Sequence, residues 1–375
     1  MKSVRILPLF LYACFVPVAW GQQPAGTCVN NWREFHRPNM VRWNPCEQVL
    51  NVNNVGRLGL KWSYTSAGGR SSPAVVNGVV YAGSDDYNVY ALNASTGAKL
   101  WSYTTGNIVW SSPAVSNGVV YIGSYDNNVY ALSAKSGAKL WSYSTGFNVG
   151  SSPAVSKGVV YIGSGDGNLY ALNAKTGVKI WSYPTGRYVY SSPAVANGIV
   201  YFGSEDQNVY ALNASTGAKL WSYTTDSSVD SSPAVSGGVV YIGSFTGNVY
   251  ALKAKTGAKL WSYTTGSWVL SSPAVANELV YVGSQDGNVY ALNAKTGAKV
   301  WSYTARPYVY SSPAVANGVV YVGSDDYNVY ALNANTGAKL WSYTTGNSVD
   351  SGPSVANGEV YVSSEDGKVY VFALK

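Results

Sequence analysis

The chain has few of the side chains on which most catalytic chemistry depends. Among 375 residues there are one histidine, three cysteines and two methionines, and only 11% of the residues are charged. The single histidine, His36, precedes the repeated part of the chain, which in practice excludes a Ser-His-Asp triad. No ligand cluster has the spacing of a zinc site, and there is no Cys-x-x-Cys motif. We therefore expect His36 to be a surface or interface residue, not a ligand or a general base.

Long apolar stretches are also scarce, and the one at the N-terminus predicts export. A basic start is followed by the apolar stretch Ile6 to Val18 and then by small residues, which predicts a cleaved signal peptide over residues 1–21. The stretch is too short for a comfortable membrane span, and no other segment is apolar enough. We expect a secreted or periplasmic protein without a transmembrane segment. Lipid anchoring at Cys14, in Leu11-Tyr-Ala-Cys14, is the alternative.

What the chain has in abundance is repetition. The motif Ser-x-Pro recurs every forty residues, beginning at Ser71, Ser111, Ser151, Ser191, Ser231, Ser271, Ser311 and Ser351. No window shows a sustained apolar period of 3.6 residues, so helices are not needed. Each unit instead has four short runs of β-branched and aromatic residues, separated by Asn-Gly, Asp-Gly or Thr-Gly pairs that favour hairpins. Four strands per repeat are typical of a β-propeller blade.

The strand count predicts how the ring closes. The last unit ends with its third strand at Val371-Phe-Ala-Leu-Lys375, and a surplus fourth strand, Leu58 to Thr65, precedes the first unit. We predict an all-β fold: an eight-bladed β-propeller of four-stranded antiparallel blades over residues 58–375, closed by an N-terminal strand that completes the last blade. Small residues of the first strand should lie at the hub, and the bulky rings of the outer strands near the rim.

One segment of the unit carries a family resemblance. Ala91-Leu-Asn-Ala-Ser-Thr-Gly-Ala-Lys-Leu-Trp101 and its copies resemble the tryptophan-docking motif of the PQQ (quinoprotein) propeller repeat. Here Asn usually replaces the motif's Asp, and Lys stands one place later. The Gly-His and Trp-Asp pairs of WD40 repeats are absent. The resemblance implies either a quinoprotein dehydrogenase or a non-enzymatic propeller similar to the BamB-type outer-membrane assembly factors.

Residues 22–57 have no repeat character and are predicted to form an N-terminal arm that lies across one end of the ring. After signal removal the remaining cysteines are Cys28 and Cys46. In an oxidising compartment we expect these two to form a disulfide, which would stabilise the arm by roughly 3 kcal/mol on a chain-entropy model.

Charged residues recur at two positions of the unit. Lysine recurs at the entry to the fourth strand, at Lys99, Lys139, Lys179, Lys219, Lys259, Lys299 and Lys339. We interpret these lysines as protection of an exposed sheet edge, with a basic ring for an anionic partner as the alternative. An acidic residue recurs in the second-to-third hairpin, at Asp86, Asp126, Asp166, Asp206, Asp286, Asp326 and Asp366, with Thr246 in the fifth unit. A tight hairpin favours Asp there, so we interpret these as turn residues and not as a cation site.

The copies differ from one another on one face only. The first-to-second and third-to-fourth connections are nearly invariant and define a uniform face. The links between blades and the second-to-third hairpins vary, and propeller geometry places them together on the opposite, variable face. Exposed Trp, Tyr and Arg are typical of recognition surfaces. We therefore predict a binding surface formed by Arg70, Trp110, Phe147, Arg187, Tyr188, Tyr190, Asp230, Trp268, Tyr308, Tyr310 and Asp350.

These patterns favour a non-catalytic binding or scaffold module, expected to be a monomer, over an enzyme. The partner would be a protein or a cell-surface or carbohydrate ligand. Nucleic acid is not expected, because the chain has an export signal and no concentrated basic patch. By resemblance, an alcohol or sugar dehydrogenase would need PQQ, calcium held by a carboxylate and an amide, and in many members adjacent cysteines. The sequence has no adjacent cysteines and no recognisable site for PQQ or calcium, so no cofactor is predicted. A structural repeat protein without a ligand is the third alternative.

Overall fold

The computed structural model describes residues 30–35, 41–66 and 68–375. The predicted signal peptide, Cys14, Cys28 and His36 lie outside the described residues. Cys46 is disulfide-bonded. Within the described part of the chain, no helix is long and apolar enough to cross a membrane.

Eight sheets form the described part of the chain, and each contains four antiparallel strands of one blade. The sheet of blade seven has a fifth strand, Trp43–Asn44, which is parallel to its neighbour. The first strands are Ala74–Val76, Ala114–Ser116, Ala154–Ser156, Ala194–Ala196, Ala234–Ser236, Ala274–Ala276, Ala314–Ala316 and Ser354–Ala356. The second strands are Val79–Gly83, Val119–Gly123, Val159–Gly163, Ile199–Gly203, Val239–Gly243, Leu279–Gly283, Val319–Gly323 and Glu359–Ser364. The third strands are Asn88–Asn93, Asn128–Ser133, Asn168–Asn173, Asn208–Asn213, Asn248–Lys253, Asn288–Asn293, Asn328–Asn333 and Lys368–Leu374.

The fourth strands confirm the predicted closure of the ring. In blades one to seven they are Lys99–Thr104, Lys139–Ser144, Lys179–Pro184, Lys219–Thr224, Lys259–Thr264, Lys299–Thr304 and Lys339–Thr344. The eighth blade is completed by Leu58–Thr65, which pairs antiparallel with Lys368–Leu374 from Leu58 opposite Leu374 to Thr65 opposite Lys368. Both ends of the repeated region therefore share one sheet.

The hub is built from the Ser-Ser-Pro segments and the first strands, which contact their neighbours around the ring. The backbone N–H of Ser72 donates to Oγ of Ser112, 2.9 Å away in the next blade, and Ser112 does the same to Ser152. Only small residues allow the blades to approach so closely at the axis. The predicted arrangement of small side chains at the hub is confirmed.

Tryptophans join neighbouring blades further out. Nε1 of Trp101 donates to the carbonyl of Ala134 in the next blade at 3.0 Å. Its ring lies against Gly137, where an added Cβ would be 2.7 Å from Trp101 Cε3. Gly137 also has a φ of +73°, a conformation that favours glycine. The glycine of the third-to-fourth turn thus has two roles: it allows the turn, and it leaves room for the tryptophan ring of the preceding blade.

The described part of the N-terminal arm follows the inner edge of the channel on the uniform face. Trp32 exchanges two backbone hydrogen bonds with Val75 of blade one. The carbonyl of Arg33 accepts the N–H of Val115 in blade two, 2.8 Å away. A carboxylate oxygen of Glu34 accepts the N–H of Val155 in blade three at 3.2 Å. The arm thereby satisfies inner-edge N–H groups that the four-stranded blades leave unpaired.

The later part of the arm continues this path around the ring. The carbonyls of Val41 and Arg42 accept N–H groups of Val275 and Val315, in blades six and seven. Strand Trp43–Asn44 pairs parallel with the first strand of blade seven, and Nδ2 of Asn44 donates to the carbonyl of Val355 in blade eight at 2.8 Å. A short 3₁₀ helix, Val55–Arg57, then leads into the closing strand.

Arg42 anchors the arm at the hub. Its side chain is fully buried, and its guanidinium donates to the carbonyls of Pro313, Ser312 and Pro353 at 2.9, 3.2 and 3.1 Å. Burial lowers the pKa of Arg42 to about 9, which still leaves it charged at neutral pH. A buried cation is tolerated here because carbonyl oxygens replace its water.

Candidate functional site

The variable face holds the residues predicted to bind a ligand, arranged around the channel mouth opposite the arm. The link between blades runs beside the second-to-third hairpin, as shown by the N–H of Tyr125 donating to the carbonyl of Ile108 at 3.0 Å. This contact brings two variable segments of the repeat together in every blade. The surface can be divided into a charged cluster and several aromatic pairs.

Arg70 is the centre of the charged cluster. Its Nε lies 3.0 Å from Oε1 of Glu365 and 3.4 Å from Oδ2 of Asp350. Its Cζ lies 4.8 Å from the ring centre of Trp110, a cation–π contact. Nε1 of Trp110 donates to Oδ1 of Asp85 at 2.8 Å. The structure therefore joins three predicted residues, Arg70, Trp110 and Asp350, through direct contacts.

Asp350 forms a carboxyl pair with Asp325 beside Arg70. The side chain of Asp350 is only 8% exposed, and Oδ1 of each carboxyl is buried without a donor among the described residues. Burial, and then the neighbouring Asp325, raise the pKa of Asp350 to about 8. The pKa of Asp325 is also raised, chiefly by burial. The pair therefore holds a proton at neutral pH, because two adjacent carboxylates cannot both ionise at low cost.

A second acidic group lies across the mouth. Oδ1 of Asp230 is buried without a partner among the described residues. Burial and then the charge of Glu205 raise the pKa of Asp230 to about 7. Tyr125 interacts electrostatically with Asp230, Arg70 and Tyr190, and its pKa is raised chiefly by burial. Tyr125 and Tyr190 meet over Gly150, where a Cβ would lie 3.2 Å from Tyr125 Oη and 3.4 Å from Tyr190 Cδ1.

Aromatic pairs make up the rest of the surface. The rings of Phe147 and Tyr188 stack with centroids 5.9 Å apart, and Tyr188 also contacts Tyr190 at 5.5 Å. The ring of Trp268 stacks on Phe245 with centroids 5.0 Å apart. Phe147, Tyr188 and Trp268 are 45%, 43% and 47% exposed. These rings are packed against one another yet open to solvent, so little side-chain entropy would be lost on binding.

The remaining predicted residues lie on either side of these pairs. Tyr308, which is 45% exposed, contacts Tyr310 at a centroid distance of 5.9 Å. The hydroxyl of Tyr310 accepts a hydrogen bond from Nε2 of Gln285 at 2.7 Å. Arg187 lines an open cleft of about 330 Å³ together with Tyr188 and Glu205.

The recurrent turn aspartates hold the face together. Oδ1 of Asp126 accepts the N–H of Asn128 at 3.0 Å, as expected of a turn residue. Its Oδ2 accepts the N–H of Gly106, in the preceding link, at 2.6 Å and the hydroxyl of Tyr130 at 2.7 Å. In five blades the turn aspartate accepts such a bond from the preceding link, so its carboxylate ties the hairpin to that link, which gives a structural reason for its recurrence. Among the described residues no group of three or more His, Cys, Asp or Glu side chains could hold a metal ion.

The fifth blade keeps this carboxylate in a different place. Thr246 replaces the turn aspartate, and Asp226 replaces the glycine of the preceding link. Oδ2 of Asp226 accepts the hydroxyl of Tyr250 at 2.9 Å and Nδ2 of Asn248 at 3.1 Å. The carboxylate of Asp226 thus replaces the turn aspartate that blade five lacks.

The second-to-third hairpin differs among the copies, but this variation alone does not show which of its residues join the binding surface. The structure adds the residue that precedes the turn aspartate in Gly-Ser-x-Asp, since this residue packs against the predicted column. The added residues are Asp85, Tyr125, Glu205, Phe245, Gln285, Asp325 and Glu365. These residues differ among the copies, and this variation is the sequence signal that could have identified them as part of the binding surface.

Comparison with known proteins shows to which family the repeats belong. The family described as "Outer membrane protein assembly factor BamB" matches residues 41–187, 137–229, 205–312 and 305–375. The chain belongs to this family. BamB from Moraxella catarrhalis has a similar structure, with a TM-score of 0.74, 23% identity, and coverage of 85% of this chain and 98% of that chain. At that identity the likeness shows the fold alone.

Quinoprotein dehydrogenases are also similar to this BamB-family chain. The quinone-dependent alcohol dehydrogenase subunit of Gluconobacter oxydans is 36% identical over a segment that covers 26% of this chain and 15% of that protein. The quinohemoprotein alcohol dehydrogenase of Comamonas testosteroni has a TM-score of 0.80, 17% identity, and coverage of 92% of this chain and 80% of that chain. The matched segment thus spans a small part of the curated relative's length.

Proposed function

We propose that this BamB-family propeller is a non-catalytic binding module of the cell envelope, which takes a protein partner on its variable face. The observation that supports this most directly is the stacking there of Phe147 with Tyr188 and of Phe245 with Trp268, in which Phe147, Tyr188 and Trp268 are exposed. Aromatic anchors surrounded by polar groups are typical of protein interfaces. The described arm residues line the opposite mouth of the channel, which leaves the variable face as the open end.

The envelope location and a role in outer-membrane protein assembly belong to the proposal. They rest on the family and on the predicted signal peptide. A protein partner is favoured over a carbohydrate because the rings occur in several separated pairs around a wide face, an arrangement that suits an extended contact.

A quinoprotein dehydrogenase is the second candidate, favoured by the 36% identity to the Gluconobacter oxydans subunit. The dehydrogenase hypothesis implies a calcium ion held by a carboxylate and an amide beside PQQ. The described residues do not fit this, since no group of three or more His, Cys, Asp or Glu side chains among them could hold a metal ion, and the carboxyls of Asp350 and Glu365 already contact Arg70. We therefore assign no catalytic step to these residues.

The binding proposal is tested with one variant and one matched control. Trp110→Ala, Tyr190→Ala, Trp268→Ala and Tyr310→Ala are combined, and partners are identified after crosslinking in intact cells that export the protein. The control combines Tyr87→Asn and Tyr327→Asn, because these exposed tyrosines occupy a hairpin position at which another copy has Asn127. We expect the quadruple variant to lose a partner that wild type and control retain. If it retains every partner at wild-type level while folded, the variable face is not the binding surface.

The enzyme alternative is tested by adding PQQ and calcium to the purified protein. The proposal predicts no quinone absorbance retained after gel filtration and no dye reduction with alcohols or sugars. Retained absorbance together with dye reduction would replace the binding proposal by the dehydrogenase.

A further inference from the structure

Each fourth strand of blades one to seven contains a β-bulge that projects one apolar side chain outward. In blade two, Lys139 pairs with Leu132 and Trp141 with Ala131, so Leu140 has no partner in the ladder. Bulges commonly re-aim a side chain. Six of the bulged residues are between 44% and 55% exposed: Leu100, Leu140, Ile180, Leu220, Leu260 and Val300.

A lysine precedes every one of these bulged residues and is itself exposed. Both residues lie near the uniform face, because the fourth strand begins there beside the first-to-second turn, as the hydrogen bond from Ala134 N–H to the carbonyl of Gly118 shows. Equivalent positions of successive blades are related by rotation about the channel axis, so they lie in one plane. We call this set of lysines and bulged apolar residues the basic rim.

The two faces of the disc differ in charge. Among the described residues, the cationic side chains toward the variable face are Arg70, Arg187, Arg306 and Lys368, and they are outnumbered by the turn and mouth carboxylates. The uniform face has the lysines of the basic rim and few acids. Of these acids, Glu359 lies within hydrogen-bond distance of Lys61, and Glu278 is 2.9 Å from Lys295. The uniform face therefore presents net positive charge to solvent.

Protection of a sheet edge accounts for the lysines but not for the apolar residues beside them. An exposed aliphatic side chain on an edge strand promotes association. The seventh blade shows that the position accepts a covering segment. There the 3₁₀ helix Val55–Arg57 lies against the bulged residue, with the Cβ position of Gly56 3.5 Å from the carbonyl of Leu340, and Leu340 packs against the core.

We propose that the basic rim docks the disc on an anionic phospholipid bilayer. A planar ring in which lysines alternate with half-exposed aliphatic side chains matches the headgroup region, where ammonium groups meet phosphates and aliphatic groups reach the acyl boundary. The variable face then points away from the bilayer. This inference does not depend on the proposed partner, since the two surfaces lie at opposite ends of the molecule.

The test measures co-sedimentation of the exported protein with vesicles of phosphatidylethanolamine and phosphatidylglycerol, and with vesicles of phosphatidylcholine alone. We expect stronger binding to the anionic vesicles, weakened by added salt. The variant Lys219→Gln/Lys259→Gln should bind the anionic vesicles about fivefold more weakly for each lysine removed. The variant Leu140→Ser/Leu220→Ser/Leu260→Ser should lose binding severalfold.

Two controls match these variants in charge and in exposed apolar area. Arg306→Gln/Lys368→Asn removes two cations from the variable face, and all seven other copies have Asn at the position of Lys368. Tyr87→Asn/Tyr327→Asn removes exposed rings from the same face. Both controls should bind like wild type. Equal binding to the two kinds of vesicle, or equal loss in the rim variants and their controls, would overturn the proposal; any contribution of residues 1–29 is common to all these proteins.

Discussion

The guanidinium of Arg42 fills the place that a side chain on residue 352 would need: a Cβ at Gly352 would lie 2.3 Å from Arg42 Nη2. The seven other copies have serine at this position. In those copies the hub N–H groups and serine hydroxyls bond from blade to blade, as Ser272 N–H does to Ser312 Oγ at 2.9 Å. Gly352 therefore replaces the serine of the other copies because Arg42 of the arm occupies the space that a side chain would need, and not because of a contact within blade eight.

Restoring the repeat residue should destabilise the protein. Gly352→Ser forces its Cβ against Arg42, and overpacking of this kind costs about 1–3 kcal/mol. Thermal and urea unfolding would show the loss. In an Arg42→Ala background the same substitution should cost much less, and an unchanged penalty there would mean that the two residues are not coupled.

The displaced carboxylate of blade five gives a second prediction. Asp226→Gly removes the acceptor of the Tyr250 hydroxyl and should lower the free energy of unfolding by about 1–2 kcal/mol. Adding Thr246→Asp recreates the arrangement of the other blades and should recover most of that loss. If the double variant is no more stable than Asp226→Gly alone, the two positions do not substitute for one another.

Two glycines of blade two separate backbone strain from tryptophan docking. Gly118 and Gly137 have φ of +75° and +73°, but an added Cβ is free of contacts within 4 Å at Gly118 and 2.7 Å from the Trp101 ring at Gly137. Both alanine variants carry the same left-handed strain. Gly137→Ala should be less stable than Gly118→Ala by at least about 1 kcal/mol in chemical unfolding. Equal losses would show that the ring adjusts freely.

Stability should fall as the pH rises toward 8. The pKa values of Asp350, at about 8, and of Asp230, at about 7, lie above their ordinary range. The folded protein therefore holds protons that the unfolded chain releases, so the stabilisation present at low pH is lost as the pH rises through these values. Melting temperatures measured from pH 5 to pH 9 should show the decline.

The variant Asp350→Asn should flatten this decline, because its side chain stays neutral throughout. Glu278→Gln is the control, since the side chain of Glu278 is 51% exposed and lies outside the mouth. A slope in Asp350→Asn as steep as in wild type and control would show that the carboxyl pair does not cause it.

The architecture was predictable because each copy repeats the same local information. Eight first strands, a missing last strand and the surplus strand Leu58–Thr65 leave one way to close the ring, and the register with Lys368–Leu374 confirms it. A strand pattern that would be weak evidence in one unit becomes strong evidence when the same pattern recurs in every unit.

The site was less predictable because its residues combine across blades. The variable column was evident, but its pairing with the residue before the turn aspartate depends on contacts between blades, such as Trp110 with Asp85. The carboxyl pair of Asp325 and Asp350 and its retained proton depend on burial, which a sequence pattern does not report. The path of the arm was equally hidden, since residues 30–57 contain no repeat from which a register could be inferred.

That path has a consequence for how such a chain can evolve. Near-identical repeats recombine easily, so a gene of this kind readily gains or loses a unit. Here Trp32, Arg33 and Glu34 engage blades one to three, while Val41, Arg42 and Asn44 engage blades six to eight. A ring with one unit more or fewer would place Arg42 opposite a hub serine instead of Gly352, so the arm fits only the present number of blades.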